Sequence, residues 1–366
     1  MSQHTNSLTA LALQRFFKNF WGVLSLVFIV VLFFISLFAY IISPDASENA
    51  NQMNLSIHSQ SPGFEVLELR IPSDHPYESS WKDLFFGHHN QDTFEPITAY
   101  RLTQDSIFYT PYTQVAVTGL EKGLPLSAFQ LEDAEDMSAY VKKHTFLLGT
   151  DRYGRDLLSR LVVGSRVSLA IGFVAVAISL IVGLFFGSIA GYFGGKVDAF
   201  IMWLVNIIWS IPTLLLVIAI TLTLGKGFWQ VFLAVGLTMW VEVARVVRGQ
   251  IISVKESQYV TAARALGYSD LRIIVKHILP NCMAPVIVIS AANFASAILV
   301  ESGLSFLGLG AQPPVPSWGG MIKDHYSYII LGKPFMALIP GIAMSLMVLA
   351  FMMIGNALRD ALDVKS

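Results

Sequence analysis

Six long apolar stretches restrict this chain to folds that a lipid bilayer can hold. The first, FWGVLSLVFIVVLFFISLFAYII over residues 20–42, contains no charged residue. A helix needs roughly 20 apolar residues to cross the hydrocarbon core of a bilayer. The other five stretches lie at residues 167–190, 198–223, 227–244, 283–303 and 335–357. Because backbone polar groups must be satisfied internally in lipid, the sequence predicts an all-α polytopic membrane protein with six transmembrane helices.

Composition supports a membrane protein and argues against several other classes. The chain is 54% hydrophobic and 13% charged, whereas about a quarter of the residues in a soluble domain are charged. A net charge of −1 gives no reason to expect a nucleic-acid partner. A single cysteine, Cys282, excludes an intrachain disulfide. His88, His89 and Asp92 lie close in sequence, but adjacent histidines point apart in most backbones, so we predict no metal site.

Lysine and arginine residues predict the orientation of the helices, since short cytoplasmic loops carry an excess of them. With the N-terminus inside, the cytoplasmic side holds Arg15, Lys18, Lys196, Arg245, Arg248, Lys255, Arg264, Arg272, Lys276, Arg359 and Lys365. The short outer loops then hold Lys226, Lys323 and Lys333. Both termini are therefore expected in the cytoplasm. The first apolar run far exceeds the roughly 7–15 residues of a signal peptide, so we expect an uncleaved anchor.

Two segments flank the first span. LTALALQRFFKNF, before it, is amphipathic and is expected to lie along the inner leaflet. After it, residues 44–144 hold 15 acidic and six basic residues, a net charge of −9. Within them FEVLELRIP and ITAYRLTQDSIFYT alternate and are rich in strand formers. We predict a small β-containing extracytoplasmic insert over residues 44–146, with SPDASENANQMNLSIHSQSPG at its start as a linker.

A polar, punctuated segment, YVTAARALGYSDLRIIVKHILPN, lies between two apolar stretches at residues 259–281. Strong helix formers predict a helix over Gln258–Leu266, ended by a left-handed Gly267. Ser269 is expected to cap a second helix. The apolar face of that helix would comprise Leu271, Ile274, Val275 and Ile278. The residues alone fit either a knob that enters a partner protein or an amphipathic loop on the membrane surface.

Four sequence motifs resemble those of one membrane-protein family. The 259–281 segment carries Thr261-Ala262-Ala263, Gly267 and Leu279-Pro280 at the spacing of the cytoplasmic loop in permease subunits of bacterial ATP-binding-cassette (ABC) importers. LLGTDRYGRDLLSRLVVGSRVSL (147–169), ESGLSFLGLGAQPPVPSWGGMI (301–322) and NALRDALD (356–363) resemble the C-type subunits of dipeptide, oligopeptide and nickel importers. Thr261 and His277 stand where the general pattern has glutamate and isoleucine, and the insert is longer than usual.

The resemblance implies a type I ABC importer permease fold in three parts. These are residues 1–43 with the first transmembrane helix, the insert 44–146, and a permease core over 147–366 with five helices and a cytoplasmic coupling loop. The loop residues expected to dock a partner ATPase are Tyr259, Thr261, Ala262, Ala263, Arg264, Gly267, Leu279 and Pro280. Arg264, Arg272 and Lys276 would pair with acidic residues of that ATPase or touch anionic lipid.

The resemblance also implies partners. They are a second homologous permease, one or two cytoplasmic ABC ATPase subunits and an extracytoplasmic substrate-binding protein, in a bacterial inner membrane. We expect no enzymatic activity and no cofactor on this chain, with ATP bound by the partner subunits. A phosphate-binding loop needs G-x4-G-K-[ST], and the nearest text, GYFGGKVD at 191–198, has Val197 after the lysine.

Several polar residues invite a functional or a structural interpretation. Asn206, Ser210, Glu242, Asn293 and Ser296 fall within spans and would line a pathway or join helices. Glu242, near the inner end of the fourth span, is expected to pair with Arg245, and Glu301 to be solvated or to fix a loop. A charged, helical outer segment is expected to form salt bridges among Asp151, Arg152, Arg155, Asp156, Arg160 and Arg166.

Three other functions are alternatives to the importer hypothesis. An ion-coupled secondary transporter would need inverted repeats and charged sites at the membrane midplane. A membrane-anchored sensory module would use the acidic insert and would not need five further spans. ABC-driven transport of antimicrobial peptides would use the same fold. The cargo stays open at this stage among dipeptides, longer peptides, nickel and antimicrobials.

Overall fold

Helices make up most of this chain. The computed structural model describes residues 8–73, 80–88, 92–114, 120–129, 134–225 and 227–362. The helices are α1 (Leu8–Lys18), α2 (Phe20–Leu37), α3 (Ala39–Ile42), α4 (Asp83–Phe86), α5 (Leu157–Phe193), α6 (Gly195–Ser210), α7 (Thr213–Leu224), α8 (Phe228–Val254), α9 (Gln258–Ala265), α10 (Asp270–Ile273), α11 (Leu279–Phe306), α12 (Trp318–His325) and α13 (Phe335–Leu362). The amphipathic N-terminal segment is thus a helix, α1.

Within the described residues, five helical segments are long and apolar enough to cross a membrane, and a bent helix pair raises the number to six. The bent pair is α6 and α7, whose axes differ by 93°. The third predicted span, residues 198–223, is therefore sharply bent. Pro212 supplies no backbone N–H and disfavours helical backbone in the residue before it. Ile211 is accordingly extended, with φ −90° and ψ 128°.

Two helices are longer than their apolar stretches predicted. Helix α5 has 37 residues and α8 has 27, or about 55 Å and 40 Å at 1.5 Å per residue. Because α8 continues to Val254, Glu242 lies near the middle of this helix. The sequence had placed it near the inner end of a shorter span.

The chain divides into two compact units. The first comprises residues 1–33, 167–312 and 342–366, and the second comprises residues 34–166 and 313–341. The division of the sequence at residues 43 and 146 stays a prediction.

In the first unit, a ridge of glycines lets α5 and α8 approach closely. Gly183, Gly187 and Gly191 recur every four residues along α5. A Cβ at Gly183 would lie 2.5 Å from the Cβ of Val243, and one at Gly187 would lie 2.7 Å from the carbonyl oxygen of Ala244. Small residues at this spacing are the usual means of close helix packing in membranes.

The second unit contains the β-structure predicted for the insert. The strands are β1 (Phe64–Ile71), β2 (Thr93–Leu102), β3 (Ser106–Pro111), β4 (Lys122–Pro125) and β5 (Val141–Phe146). They form an antiparallel sheet in the order β4-β3-β2-β1-β5. Leu69, Ile97, Ile107 and Phe129 are almost fully buried in its core.

Residues 43–63 are packed, so the linker prediction for them is wrong. Ala50 and Ile57 are buried. The backbone N–H of Asn54 donates to the carbonyl of Tyr153 over 3.1 Å, and the Thr150 hydroxyl donates to the carbonyl of Ile57 over 2.5 Å. This segment is fixed against the residues that lead into α5.

Candidate functional site

The 259–281 segment is a helix, a glycine corner and a return into a membrane helix, as predicted. Helix α9 ends at Ala265, and Gly267 has a φ of +77°. The N–H groups of Gly267 and Tyr268 donate to the carbonyls of Arg264 and Ala263 over 2.9 and 3.2 Å. A left-handed residue after the last turn makes these closing bonds possible, and glycine adopts that conformation without steric cost.

One face of α9 is anchored in the first unit, and the other is exposed. Val260 and Ala263 are buried and pack in a cluster that includes Ile251 and Ile273. Tyr259, Thr261, Ala262 and Arg264 are exposed. Ala263 therefore cannot admit a partner, contrary to expectation, because it already packs against this chain. Ala262, on the exposed face, stays a predicted docking residue.

The second helix of the segment departs from its predicted form. Helix α10 ends at Ile273 and is followed by a π-helical turn over Ile274–Ile278. Ser269 precedes α10 with extended backbone, but its side chain makes no capping hydrogen bond. Leu271 and Val275 are 72% and 52% exposed, so they do not belong to the buried face. Ile274 and Ile278 are buried as predicted and Ile273 joins them, because the wider turn changes which side chains face inward.

Aromatic rings hold the arginines of this segment at the surface. The Tyr192 hydroxyl donates to Asp270 over 2.6 Å, and the guanidinium of Arg264 lies 5.3 Å from the centre of the Tyr192 ring. Arg272 lies 4.2 Å from the Tyr268 ring. Both arginines are exposed, so their planar guanidinium groups lie at the surface of the chain.

Leu279 and Pro280 join the segment to α11. Leu279 is half-buried against the same core as α9, while Pro280 is exposed in the first turn of the helix. Proline is tolerated there because the first N–H groups of a helix have no intrahelical acceptor. The two residues therefore fix how the segment enters the membrane helix.

A cavity of about 180 Å³ opens beside the bend between α6 and α7. Its polar lining includes Glu242, Ser296, Thr238 and Thr213, with Trp209 among its apolar walls. The bend creates this space, since a straight helix would carry Ile211 and Pro212 past it. Two of the five predicted polar residues, Glu242 and Ser296, thus meet at one site.

The other three polar residues are not among those that line this cavity. The Asn206 side chain accepts a 2.6 Å hydrogen bond from Arg245. The Ser210 hydroxyl donates to the Ile207 carbonyl of its own helix over 2.7 Å. Asn293 is buried within α11. Of these three residues, Asn206 is the one whose hydrogen bond joins two helices, α6 and α8.

The expected ion pair between Glu242 and Arg245 is wrong. Arg245 bonds to Asn206 and stacks on Trp209, with its guanidinium carbon 3.2 Å from the ring centre. Across the part of the chain that the structure describes, no cationic side chain lies within ion-pair distance of Glu242. The aromatic face and the amide attract the arginine away from the carboxylate.

Charged residues before and at the start of α5 form part of the predicted network, around a turn in place of a continuous helix. Arg155 and Arg160 reach the Asp151 carboxylate at 2.6 and 3.8 Å, and all three are buried. Arg152 pairs with Asp324 at 3.3 Å. Asp156 has a different role, because it accepts hydrogen bonds from the backbone and side chain of Ser159. Burial raises the pKa of the Asp156 carboxyl.

The structure also shows the contacts of the other charged and histidine residues that the sequence analysis singled out. Arg166 donates to the carbonyl of Phe85 and stacks on Tyr40. Glu301 is buried and accepts a hydrogen bond from Ser305 of the same helix over 2.6 Å, so the solvated alternative is wrong. His88 lies 3.5 Å from Asp83 and Asp92 binds Arg70 over 2.6 Å, while His89 falls outside the described residues.

Comparison with known families decides the class of protein. The family described as "Binding-protein-dependent transport system inner membrane component" matches residues 183–365, half of the chain. The chain belongs to this family. A second description, "N-terminal TM domain of oligopeptide transport permease C", matches residues 7–62. The resemblance to C-type peptide permeases is thereby confirmed.

Individual relatives of this transport component are peptide permeases by name. The dipeptide transport system permease protein DppC of Alkalihalophilus pseudofirmus is 44% identical over 217 residues, covering 59% of this chain and 71% of the relative. DppC of Bacillus subtilis is 38% identical over 258 residues, covering 70% of this chain and 76% of the relative. The glutathione permease GsiD of Escherichia coli is 40% identical, covering 59% of this chain and 71% of the relative.

Among solved structures, a chain of the inward-facing MetNI methionine ABC transporter is similar. The match covers 56% of this chain and 96% of that chain, with 19% identity and a TM-score of 0.46.

Sequence reasoning missed three features of the cavity of this transport component: the role of Trp209, the lining hydroxyl of Thr238, and the bond between Arg245 and Asn206. Pro212 was the sequence signal for the bend, but a transmembrane helix was expected to tolerate this proline without a break. The other contacts join helices α6 and α8, and no spacing within either helix indicates them.

Proposed function

We propose that this chain is one of two homologous permease subunits of an ATP-driven importer of short peptides in a bacterial inner membrane. Cytoplasmic ABC ATPases, one or two kinds, would bind and hydrolyse ATP, and an extracytoplasmic binding protein would deliver the peptide. Both termini and the 259–281 segment would lie in the cytoplasm. The peptide cargo is supported by membership in the binding-protein-dependent family and by the dipeptide and glutathione permeases among its relatives.

The observation that carries the coupling role is that α9 is buried on one face and exposed on the other. Its inner face packs on residues from α8 and from the turn before α11, while its outer face is exposed around Ala262. A force applied to such a helix is transmitted to the membrane helices, because close-packed cores deform little. Arg264 and Arg272 would meet acidic side chains of the ATPase.

The insert has its own place in this proposal. We assign residues 44–146 to the extracytoplasmic side, where the sheet would adjoin the docked binding protein. Its net charge of −9 over residues 44–144 would favour a basic surface on that protein.

Purification of the tagged chain in mild detergent, followed by mass spectrometry, tests the assembly. A second permease and Walker-motif ATPases should be recovered with it. Ala262→Leu should then lose the ATPases and keep the second permease, because the enlarged side chain stands on the exposed face of α9.

Ala199→Leu is the matched control, since Ala199 is also exposed but lies in α6. This variant should keep every subunit. Recovery of the chain by itself, from membranes in which a control transporter stays assembled, would contradict the importer assembly. Equal ATPase recovery with Ala262→Leu and Ala199→Leu would contradict docking through α9.

A further inference from the structure

Glu242 lies where a membrane protein rarely keeps an acidic residue without a purpose. It is 14 residues from the first residue of α8 and 12 from the last, or about 20 Å from either end. An acidic residue inside an apolar membrane span is rare and points to a functional site. Such a residue needs a compensating partner or a polar cavity.

The structure provides a polar cavity beside Glu242, but the described residues place no cationic partner next to it. The nearest candidate in sequence, Arg245, is held by Asn206 and by the face of Trp209. Glu242 lines the cavity of about 180 Å³ together with the hydroxyl residues Thr238 and Ser296. A negative charge is thus left for a cation that comes from outside the described part of the chain.

From this geometry we propose that Glu242 binds the terminal ammonium group of a peptide as the peptide passes through the membrane. The inference rests on the proposed peptide cargo and adds to it the group that this subunit recognises. An ammonium carries three N–H donors and a positive charge. The carboxylate accepts one or two of these bonds, and a hydroxyl oxygen accepts another.

Thr238 is already oriented as an acceptor. Its hydroxyl hydrogen is used by the carbonyl of Val235 over 2.8 Å, so the lone pairs of its oxygen remain for a donor. Ile208, Met239 and Val300 form an apolar wall of the same cavity. A cavity of 150 Å³ is known to take a benzene-sized group, so this one accommodates an ammonium and the first side chain of a peptide.

The test uses the assembled transporter in proteoliposomes, with its binding protein and with alanyl-phenylalanine as the probe. Glu242→Gln should lower the maximal rate of uptake at least tenfold and leave the KM for the peptide unchanged. ATP hydrolysis stimulated by the loaded binding protein should continue. Glu242→Asp should recover part of the uptake, whereas Glu256→Gln, at an exposed acid beyond the end of α8, should transport like the parent.

The outcomes separate this inference from the proposed function. If the unmodified transporter does not take up the dipeptide, the peptide cargo is wrong and the inference falls with it. If it does, and Glu242→Gln transports equally well, the cargo stands and the ammonium site is wrong. A tenfold loss that Glu242→Asp does not relieve in an assembled complex would also overturn the site, since the charge would then not be what matters.

A second measurement covers a variant that fails to assemble. Cys282 is the sole cysteine, so Cys282→Ala provides a background for Ser296→Cys in the cavity. Alanyl-phenylalanine should slow maleimide labelling of that cysteine during turnover at least fivefold. N-acetyl-alanyl-phenylalanine, loaded at saturating concentration, should give no protection. Equal protection by both peptides, or none by either while uptake proceeds, would refute ammonium recognition.

Discussion

Two segments of this protein turn at a left-handed glycine and carry arginines, yet they use them in opposite ways. The 150–160 turn bends at Gly154, with φ +73°, and the 259–281 segment bends at Gly267, with φ +77°. A Cβ at Gly154 would lie 1.7 Å from the carbonyl oxygen of Asn54, whereas a Cβ at Gly267 would meet nothing within 4 Å. The first corner is closed by its own chain, and the second is open.

The arginines follow the same division. Arg155 and Asp151 have side chains that are 3% and 0% exposed, and they are joined at 2.6 Å. Arg264 and Arg272 are exposed and lie against tyrosine rings. The comparison teaches that the charges of the closed turn stabilise the fold, because they are buried and paired, whereas those of the open segment are held outward and are predicted to form an interface.

The largest expected effect comes from breaking the closed segment. Arg155→Ala removes one member of a buried ion pair and leaves Asp151 to the distant Arg160, which should cost about 3–5 kcal/mol of unfolding free energy. Equilibrium unfolding in mixed micelles, followed by tryptophan fluorescence, measures this cost. Arg264→Ala is the matched control in the open segment and should change stability by about 0.5 kcal/mol or less. Equal costs for both would remove the distinction between the segments.

The second prediction sharpens the comparison at the glycines. Gly267→Ala should cost about 1–2 kcal/mol, because an L-residue is strained at its positive φ but meets no neighbour. Gly154→Ala should carry the same strain and a further overpacking cost of about 1–3 kcal/mol. Gly249→Ala, near the C-terminal end of α8 with open space around it, should be neutral or stabilising. A loss of stability at Gly249 as large as that at Gly267 would argue against the left-handed corner as the cause.

The open segment was the more predictable of the two, for a physical reason. Gly267 and the helix before it follow from local propensities, which act over a few residues. Leu271 and Val275 were assigned to the wrong face because a π-helical turn changes the register, and no local residue preference signals that turn. Which of Ala262 and Ala263 faces outward depends on residues of α8 that lie outside the segment.

In the cavity and in the insert, too, the contacts that local sequence could not predict are those between distant parts of the chain. Alternation indicated strands near β1 and β3, but the order of the sheet and the burial of residues 43–63 depend on distant pairings. Glu242 was recognised as unusual from its position in an apolar stretch. Its nearest cation was assigned by spacing along one helix, and Trp209 and Asn206 of another helix took that cation.

The third prediction extends the comparison to a pair of intermediate burial, His144 and Glu68, which lie 3.2 Å apart with side chains 24% and 15% exposed. The hydrogen bond with Glu68 raises the pKa of His144. The protonated pair therefore stabilises the sheet fully below the unfolded histidine pKa of about 6.5. This stabilisation is lost as the pH rises through the higher folded value.

Hydrogen exchange of β5 should accordingly increase from pH 6 to pH 8.5, after correction for the intrinsic rate. The effect should be smaller than that of Arg155→Ala, since both side chains stay in place and solvent screens part of the interaction. Glu68→Gln should flatten the pH dependence. An undiminished dependence in that variant would assign the titration to another group.

The smallest effect on stability is expected from substituting the exposed arginines of the open segment. Arg264→Gln combined with Arg272→Gln removes two exposed cations together with their contacts to Tyr192 and Tyr268, so unfolding should shift by about 1 kcal/mol or less. Recovery of the ATPases with the tagged chain should nevertheless fall, and it should fall most at low salt, where unscreened charges contribute most. A variant that loses stability but keeps its ATPases would place these arginines in the structural class with Arg155, and the contrast between the two segments would then rest on the glycines alone.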